Sequence, residues 1–237
     1  MKIAQRYIYP PRPMKDAIPF SQVQMYSQYG WVGQIKYNDK RTEIAVSNSG
    51  VEIFNRHNST HKTFKLTAEL REELLTVFRD VLGLDISNWS YLDGGLLDGK
   101  NKHISGLFVI WDILVREGDW LIGSTYQERY NWLLEKAVAA GGKSFIVTIN
   151  GKEFDFGVRL SEHIFLPRVS EDFNSIWEFT QAVNKAAGWS TETGGEPVLE
   201  GIIAKDPQGV LKPDNGHESN NTEWSARSRV RTGRHRN

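Results

Sequence analysis

The chain is predicted to fold as an α+β protein with largely antiparallel sheets. Three observations predict it. Apolar strand segments meet in hairpins as often as they alternate with helices. Asn150-Gly151 sits between two alternating runs, the strongest short hairpin signal. Three helical runs open on a capping residue, and two of them close on glycine.

The elements follow in order. Residues 7–19 carry four of the eight prolines (Pro10, Pro11, Pro13, Pro19) and read as an extended, irregular arm laid on the body. Strands at 31–36 and 41–46 flank an Asn38-Asp39 turn, and Asn48-Ser49-Gly50 turns into a strand at 51–55. Thr67 caps a helix with Leu70, Leu74, Val77, Phe78 and Val81 on one face. Strands follow at 89–97 and 106–115. Thr125-Tyr126-Gln127-Glu128 is a capping box, and its helix ends at Gly141-Gly142. The Asn150-Gly151 hairpin joins strands 144–149 and 152–158. Ser170 is expected to cap a third helix that presents Phe173, Ile176, Trp177, Thr180 and Val183 and ends at Gly188. A strand at 198–205, a polar and mobile stretch at 212–222 and a last strand at 224–230 complete the chain. No internal repeat is present.

Composition bounds the function. At 237 residues the chain fills one or two domains. The absence of cysteine excludes disulfides, thiolate catalysis and Cys-ligated zinc, and fits a reducing cytoplasm. No apolar run approaches the ~20 residues of a bilayer span, and no signal-like segment follows Met1. Basic and acidic residues cancel at 29 each, so only the distribution of charge argues for nucleic acid. After Glu223 there is no acidic residue, while Arg227, Arg229, Arg231, Arg234 and Arg236 fall within ten positions. Such a strip suits a phosphate backbone, and equally a solvated terminus. His57 and His61 read as surface histidines beside a turn, without a third metal ligand. Neither a Gly-x-Ser-x-Gly elbow nor a Gly-x-x-x-x-Gly-Lys loop occurs.

Two strand ends carry more chemistry. Gln34-Ile35-Lys36-Tyr37-Asn38-Asp39-Lys40-Arg41 puts a lysine on an apolar strand before a polar turn and an arginine. Leu199-Glu200-Gly201-Ile202-Ile203-Ala204-Lys205 supplies a strand carboxylate and a second lysine. Covalent nucleotidyl transfer needs an amine whose pKa is lowered from ~10.4 by burial and nearby cations. It also needs cations around the phosphates, a face for the base, and oxygen ligands for Mg²⁺.

These motifs resemble the nucleotidyltransferase domain of ATP-dependent polynucleotide ligases, small phage-type DNA ligases in particular, and more distantly RNA ligases and mRNA-capping enzymes. The family's Lys-x-Asp-Gly-x-Arg motif matches Lys36-Tyr37-Asn38-Asp39-Lys40-Arg41. Its arginine turn matches Asn55-Arg56-His57-Asn58, and its Asp-Gly-Glu-Leu motif aligns with Asp93-Gly94-Gly95-Leu96. Phe-Asp-Ile aligns with Trp111-Asp112-Ile113, Glu-Gly matches Glu200-Gly201 with Lys205 downstream, and the last Lys-x-Lys/Arg strand aligns with Arg227-Ser228-Arg229. Six motifs occur in the family's order, over most of the chain. The resemblance implies two largely antiparallel sheets with flanking helices, an ATP-grasp-like adenylyltransferase fold of the DNA ligase and mRNA-capping superfamily. It implies one adenylation domain over 1–237. The OB-fold domain common in such ligases is not expected here, because only eight residues follow Arg229.

The resemblance implies roles as well. Lys36 becomes the adenylated nucleophile, using ATP with Mg²⁺. Arg41 and Arg56 hold phosphate or ribose, and Arg56 also takes the incoming 5′-phosphate. Trp111 stacks on adenine or is a plain core tryptophan. Gln34 and Ile35 read the adenine edge, partly through backbone. Glu200 engages the metal or the lysine site, with Asp93 a second candidate ligand. Lys205, Arg227 and Arg229 contact the triphosphate, and Arg229, Arg231, Arg234 and Arg236 contact nucleic acid. Three departures from the pattern stand out: Asn38 and Asp39 replace aspartate and glycine, Gly95 replaces glutamate, and Arg227 replaces lysine. Asp39 is expected in a positive-φ turn or as a substitute charge, and Asp93 or Asp98 as stand-ins at Gly95. The implied activity is a monomeric ligase of DNA 5′-phosphate and 3′-hydroxyl ends, acting in replication or repair, in a host cytoplasm if phage-encoded. An RNA or mixed-substrate ligase, a GTP-using guanylyltransferase and a catalytically impaired nucleic-acid binder are the alternatives.

Overall fold

A computed structural model describes residues 7–10, 12–13, 16–98, 103–192, 195–214, 216–217 and 223–231. Twelve strands and four α-helices are present among them. The strands are β1 (Val32–Tyr37), β2 (Lys40–Ser47), β3 (Gly50–Asn55), β4 (Ser90–Leu97), β5 (Leu107–Arg116) and β6 (Asp119–Trp120), then β7 (Ser144–Ile149), β8 (Lys152–Arg159), β9 (Ile164–Pro167), β10 (Val169–Ser170), β11 (Leu199–Lys205) and β12 (Ser225–Arg229). The helices are α1 (Phe20–Gln24), α2 (Ala68–Thr76), α3 (Tyr126–Ala139) and α4 (Phe173–Ala186).

The strands form two sheets, as the resemblance implies. The small sheet has the order β10-β1-β11-β12, and the large one the order β3-β2-β4-β5-β9-β8-β7 with β6 on β5. Every pairing is antiparallel except β5 with β9. β1 and β2 are consecutive in sequence yet lie in different sheets. The Asn38-Asp39 turn is therefore the crossing point, and residues on either side of it face each other across the gap.

Local sequence explains the helices. Thr67 accepts from Leu70 N at 3.2 Å, and Thr125 and Glu128 form the reciprocal capping box. Gly141 (φ 80°) and Gly188 (φ 76°) follow α3 and α4 in left-handed conformations that glycine adopts without strain. The third cap differs from expectation. Asp172, not Ser170, accepts from Asn174 N and Ser175 N, while Ser170 Oγ accepts from Asp172 N. Beyond Thr76 the predicted helix tightens no further but widens, into a π turn at Val77–Val81 that carries buried Val77 and Phe78.

Other elements had no pattern to announce them. The short α1, the 3₁₀ turn Met25–Tyr29 and the strands β6, β9 and β10 are two to five residues long. A periodicity cannot establish itself over that length. The stretch expected to be mobile, 212–222, lies largely outside the described residues, as do Arg234 and Arg236.

Two main cores support the sheets. Ile35, Tyr37, Phe156, Phe173, Ile176 and Ile202 pack the small sheet against α4 and the β7–β8 hairpin. Ile44, Leu74, Phe78, Leu92, Ile110 and Leu133 pack the large sheet on α2 and α3. The arm is laid on the body as predicted. Ile8 is buried beside Ala45, Tyr91 and Leu114, and Ile18 N bonds Arg227 O at 3.0 Å. Among the described residues no helix is long and apolar enough to cross a membrane.

Candidate active site

A cavity of about 650 Å³ opens between the two sheets. Nine Lys or Arg side chains line it against four Asp or Glu, so it is an anion receptor by charge. The small sheet supplies one wall. Alternation along β1 turns Ile35 and Tyr37 into the core and leaves Gln34 and Lys36 on the opposite face. Ile35 therefore offers the cavity its backbone only. Gln34 is buried, and its side-chain amide donates to Tyr126 Oη at 3.3 Å.

A bulge sets the lysine against its carboxylate. β11 pairs Gly201 with Lys36 but Leu199 with Tyr37, leaving Glu200 as the extra residue. Bulges re-aim side chains in this way. Gly201 permits it: φ is 147°, and a Cβ there would stand 2.2 Å from Ser228 O. Lys36 Nζ lies 2.5 Å from Glu200 Oε2, with the lysine side chain only 13% exposed, and Arg229 Nε lies 3.3 Å from the same oxygen. The amine is thus withdrawn from bulk water and held beside an acid.

Deeper in the cavity stands Lys205. It is buried, with Nζ 4.2 Å from the centroid of the Tyr126 ring, and burial lowers its pKa to about 8. On β12, burial first and Arg229 second lower the pKa of Arg227. Lys205 and Arg227 are thus harder to hold charged than in water, a state an anionic ligand relieves.

The large sheet supplies the facing wall. Arg41 on β2 pairs through two nitrogens with Asp93 on β4, and Trp111 Nε1 donates to Asp93 Oδ2 at 2.8 Å. The Arg41 guanidinium lies 5.5 Å from the Trp111 ring centroid. Trp111 packs on the small-sheet core and also lines the cavity. The Asp93 carboxylate, a candidate metal ligand in the sequence, is held in this structure by Arg41 and Trp111. Asp98 is likewise engaged, by Lys40 Nζ at 2.6 Å.

Most expected site residues converge here: Gln34, Lys36, Arg41, Trp111, Glu200, Lys205, Arg227 and Arg229 all line the cavity. Arg56 lines its rim, exposed, with Nε donating to His57 Nε2 at 3.0 Å. Arg231 does not reach it; it lies 3.6 Å from Glu196 and over Trp189. Two expectations about the turn and loop are corrected. Asp39 is not among the positive-φ residues, and Asn38 turns away to donate to Pro197 O at 3.0 Å and to Glu196 Oε2 at 3.1 Å. His61 is buried, not on the surface, with Nε2 at 2.9 Å from Thr42 Oγ1, and burial lowers its pKa.

The sequence reading did not assign Arg12 and Lys62 to the site, yet both line the cavity, as does Asp39, which it had offered as a substitute charge. Arg12 had one signal, a cation on a proline-stiffened arm. Lys62 had none. Among the described residues no three acidic or histidine side chains converge on a metal position.

No family model matches the chain, and no curated protein matches it. Solved structures do. The chain is similar to mycobacterial DNA ligase D complexed with ATP and MES, at 16% identity and a TM-score of 0.51, over 94% of this chain and 60% of that one. It is also aligned with the ligase domain of Mycobacterium tuberculosis LigD (16% identity, TM-score 0.48, 90% and 57% covered) and with the ATP-dependent DNA ligase of bacteriophage T7 in complex with ATP (13%, 0.49, 91% and 67%). The chain spans less than two thirds of the ligase D chain. At this identity the likeness to ligase D shows the fold alone: two sheets with flanking helices, of the kind that carries the ligase nucleotidyltransferase domain.

Proposed function

We propose that this chain is the adenylyltransferase domain of an ATP-dependent polynucleotide ligase, with DNA as the favoured substrate. The observation that carries the reading is the Lys36 amine, sheltered beside Glu200 in a cation-lined cavity of nucleotide size. Ligase D and the phage ligase of similar fold were solved with ATP, which favours this nucleotide over GTP.

In this reading Lys36 Nζ attacks the α-phosphate of ATP. A nitrogen–phosphorus bond forms, the bond to the β-phosphate breaks and pyrophosphate leaves. The proton shed by the amine passes to a neighbouring carboxylate, Glu200 being in contact. Lys205, Arg227 and Arg229 hold the phosphates and stabilise charge on the transferring group. Trp111, its edge fixed by Asp93, offers a face to the base. AMP then passes to a nucleic-acid 5′-phosphate, and a 3′-hydroxyl displaces it to seal the strand. Arg56 at the rim, with Arg229 and Arg231, is placed in this reading along the nucleic-acid backbone.

The donor set fits Mg²⁺. A hard ion needs only one or two carboxylates beside phosphate and water, and Glu200 is a cavity carboxylate. Bound there, Mg²⁺ neutralises phosphate charge.

Intact-mass spectrometry after incubation with ATP and Mg²⁺ tests the proposal. A covalent AMP adduct, absent from Lys36→Ala, is expected. No adduct on protein first discharged with pyrophosphate leaves a nucleic-acid binder as the surviving reading. Sealing of nicked DNA, nicked RNA and hybrid duplexes then assigns the polynucleotide.

A further inference from the structure

One carboxylate of the cavity has no part in the scheme above. Asp39, in the turn that crosses between the sheets, lines the same cavity as Lys36, Arg41 and Glu200 and interacts electrostatically with all three. Its side chain lies over Gly95 of β4. A Cβ built on Gly95 would stand 2.7 Å from Asp39 Oδ2 and 2.8 Å from its Cβ and Cγ. Rotating the carboxylate does not relieve that clash, because the Asp39 Cβ is itself in contact. Gly95 is not among the positive-φ glycines. Its bare Cα therefore serves to leave space, not to reach an unusual backbone conformation.

We propose that Asp39 is a positioning carboxylate for the Lys36 amine, acting with Glu200, and that the missing side chain of Gly95 is what admits it. The proposal rests on the adenylyl-transfer reading. It explains two departures from the ligase motifs as one event. The carboxylate absent from position 95 reaches the site from position 39, on the other side of the sheet crossing. Burial raises the Asp39 carboxyl to about 6, against the pull of Lys36 and with the push of Glu200, so at neutral pH it is mostly an anion. An anion there attracts the Lys36 ammonium across the cavity before reaction, beside the contacting Glu200.

The test is a swap. Six variants are compared with wild type: Asp39→Asn, Asp39→Gly, Gly95→Ala, Gly95→Glu, the double Asp39→Gly/Gly95→Ala and the swap Asp39→Gly/Gly95→Glu. Steric coupling is read from Tm without reference to activity. Gly95→Ala is expected to lower Tm by about 3–8 °C through overpacking against Asp39. The same change in the Asp39→Gly background is expected to leave Tm unchanged. Function is read as single-turnover adenylylation beside ATP affinity. Asp39→Asn is expected to slow adenylylation by about tenfold or more while ATP affinity stays within about threefold. The double swap returns the carboxylate from position 95 and is expected to recover most of that loss. A folded double variant no faster than Asp39→Gly overturns the proposal, as does a Gly95→Ala cost that persists without Asp39. Wild-type protein that forms no adduct sinks the adenylyl-transfer reading, and this proposal with it. An active wild type with a failed swap overturns this proposal alone.

Discussion

The two sheets treat charge in opposite ways. On the large sheet every cavity carboxylate is matched. Asp93 is gripped by Arg41 and Trp111, and Asp112 takes Arg129 Nε at 2.7 Å and Nη2 at 2.9 Å. On the small sheet four cations, Lys36, Lys205, Arg227 and Arg229, line the cavity beside one carboxylate, Glu200, which lies against Lys36 and Arg229. The first arrangement is a frame, in which charges cancel and side chains are locked. The second carries more positive than negative side chains, a face that suits a polyanion. The difference teaches where to look: the functional wall is the one whose charges do not balance.

The comparison is broken most severely at the frame. Asp112→Asn leaves the Arg129 guanidinium, 1% exposed, without its counter-charge. Removing one partner of a buried pair costs about 3–5 kcal/mol. Urea unfolding is expected to show that loss, and Trp224, which the guanidinium approaches to 6.0 Å, is expected to report local loosening by fluorescence. A cost under about 1 kcal/mol contradicts the division between frame and functional wall.

Lys205 sharpens the comparison in the other direction. Its folded pKa of about 8 lies below its unfolded value near 10.5. Between these the unfolded state holds more protons, so stability rises with pH across that window. Below pH 8 the full cost of keeping the buried ammonium is present, of order 3 kcal/mol. Lys205→Met removes it but forfeits the Tyr126 contact, worth about 1–2 kcal/mol. The expected net is a gain of about 1–2 kcal/mol at pH 7 that fades towards pH 10.5, measured by urea titration at several pH values, with nucleotide binding weakened. A destabilised, pH-insensitive variant shows that Lys205 belongs to the frame.

The same division separates what was legible in the sequence from what was not. Strands that alternate over six or more residues, the Asn150-Gly151 hairpin and the Thr125 box were plain, because each is a local pattern with one physical cause. The parallel β5–β9 pairing was not, since β9 is four residues long and buried throughout. Lys36, Glu200 and Lys205 were legible as motif residues, and the cavity brings them together. The bulge that aims Glu200 was hidden, because it depends on register between strands about 165 positions apart. The grip of Arg41 and Trp111 on Asp93 was hidden, because the three residues come from three different strands. His61 looked superficial because the turn beside it is polar, while tertiary packing buries it on Thr42. Gly95 could only be read as a loss until its neighbour in space, Asp39, was known.

The smallest stability effect belongs to the residue expected to matter most for chemistry. Glu200 joins Lys36 and Arg229, but the three side chains are 20%, 13% and 43% exposed, and water screens the pairs. Glu200→Gln keeps the shape and removes the charge. Partly exposed ion pairs contribute about 1 kcal/mol or less, so Tm is expected to fall by no more than about 4 °C. Adenylylation is expected to fall about a hundredfold or more, because the amine loses its contacting acceptor and its alignment. Scanning calorimetry beside single-turnover adenylylation separates the two quantities. If both fall together, Glu200 is one more strut. If Tm holds while the rate collapses, the wall with unbalanced charge is the wall that reacts, and its imbalance serves catalysis and not folding.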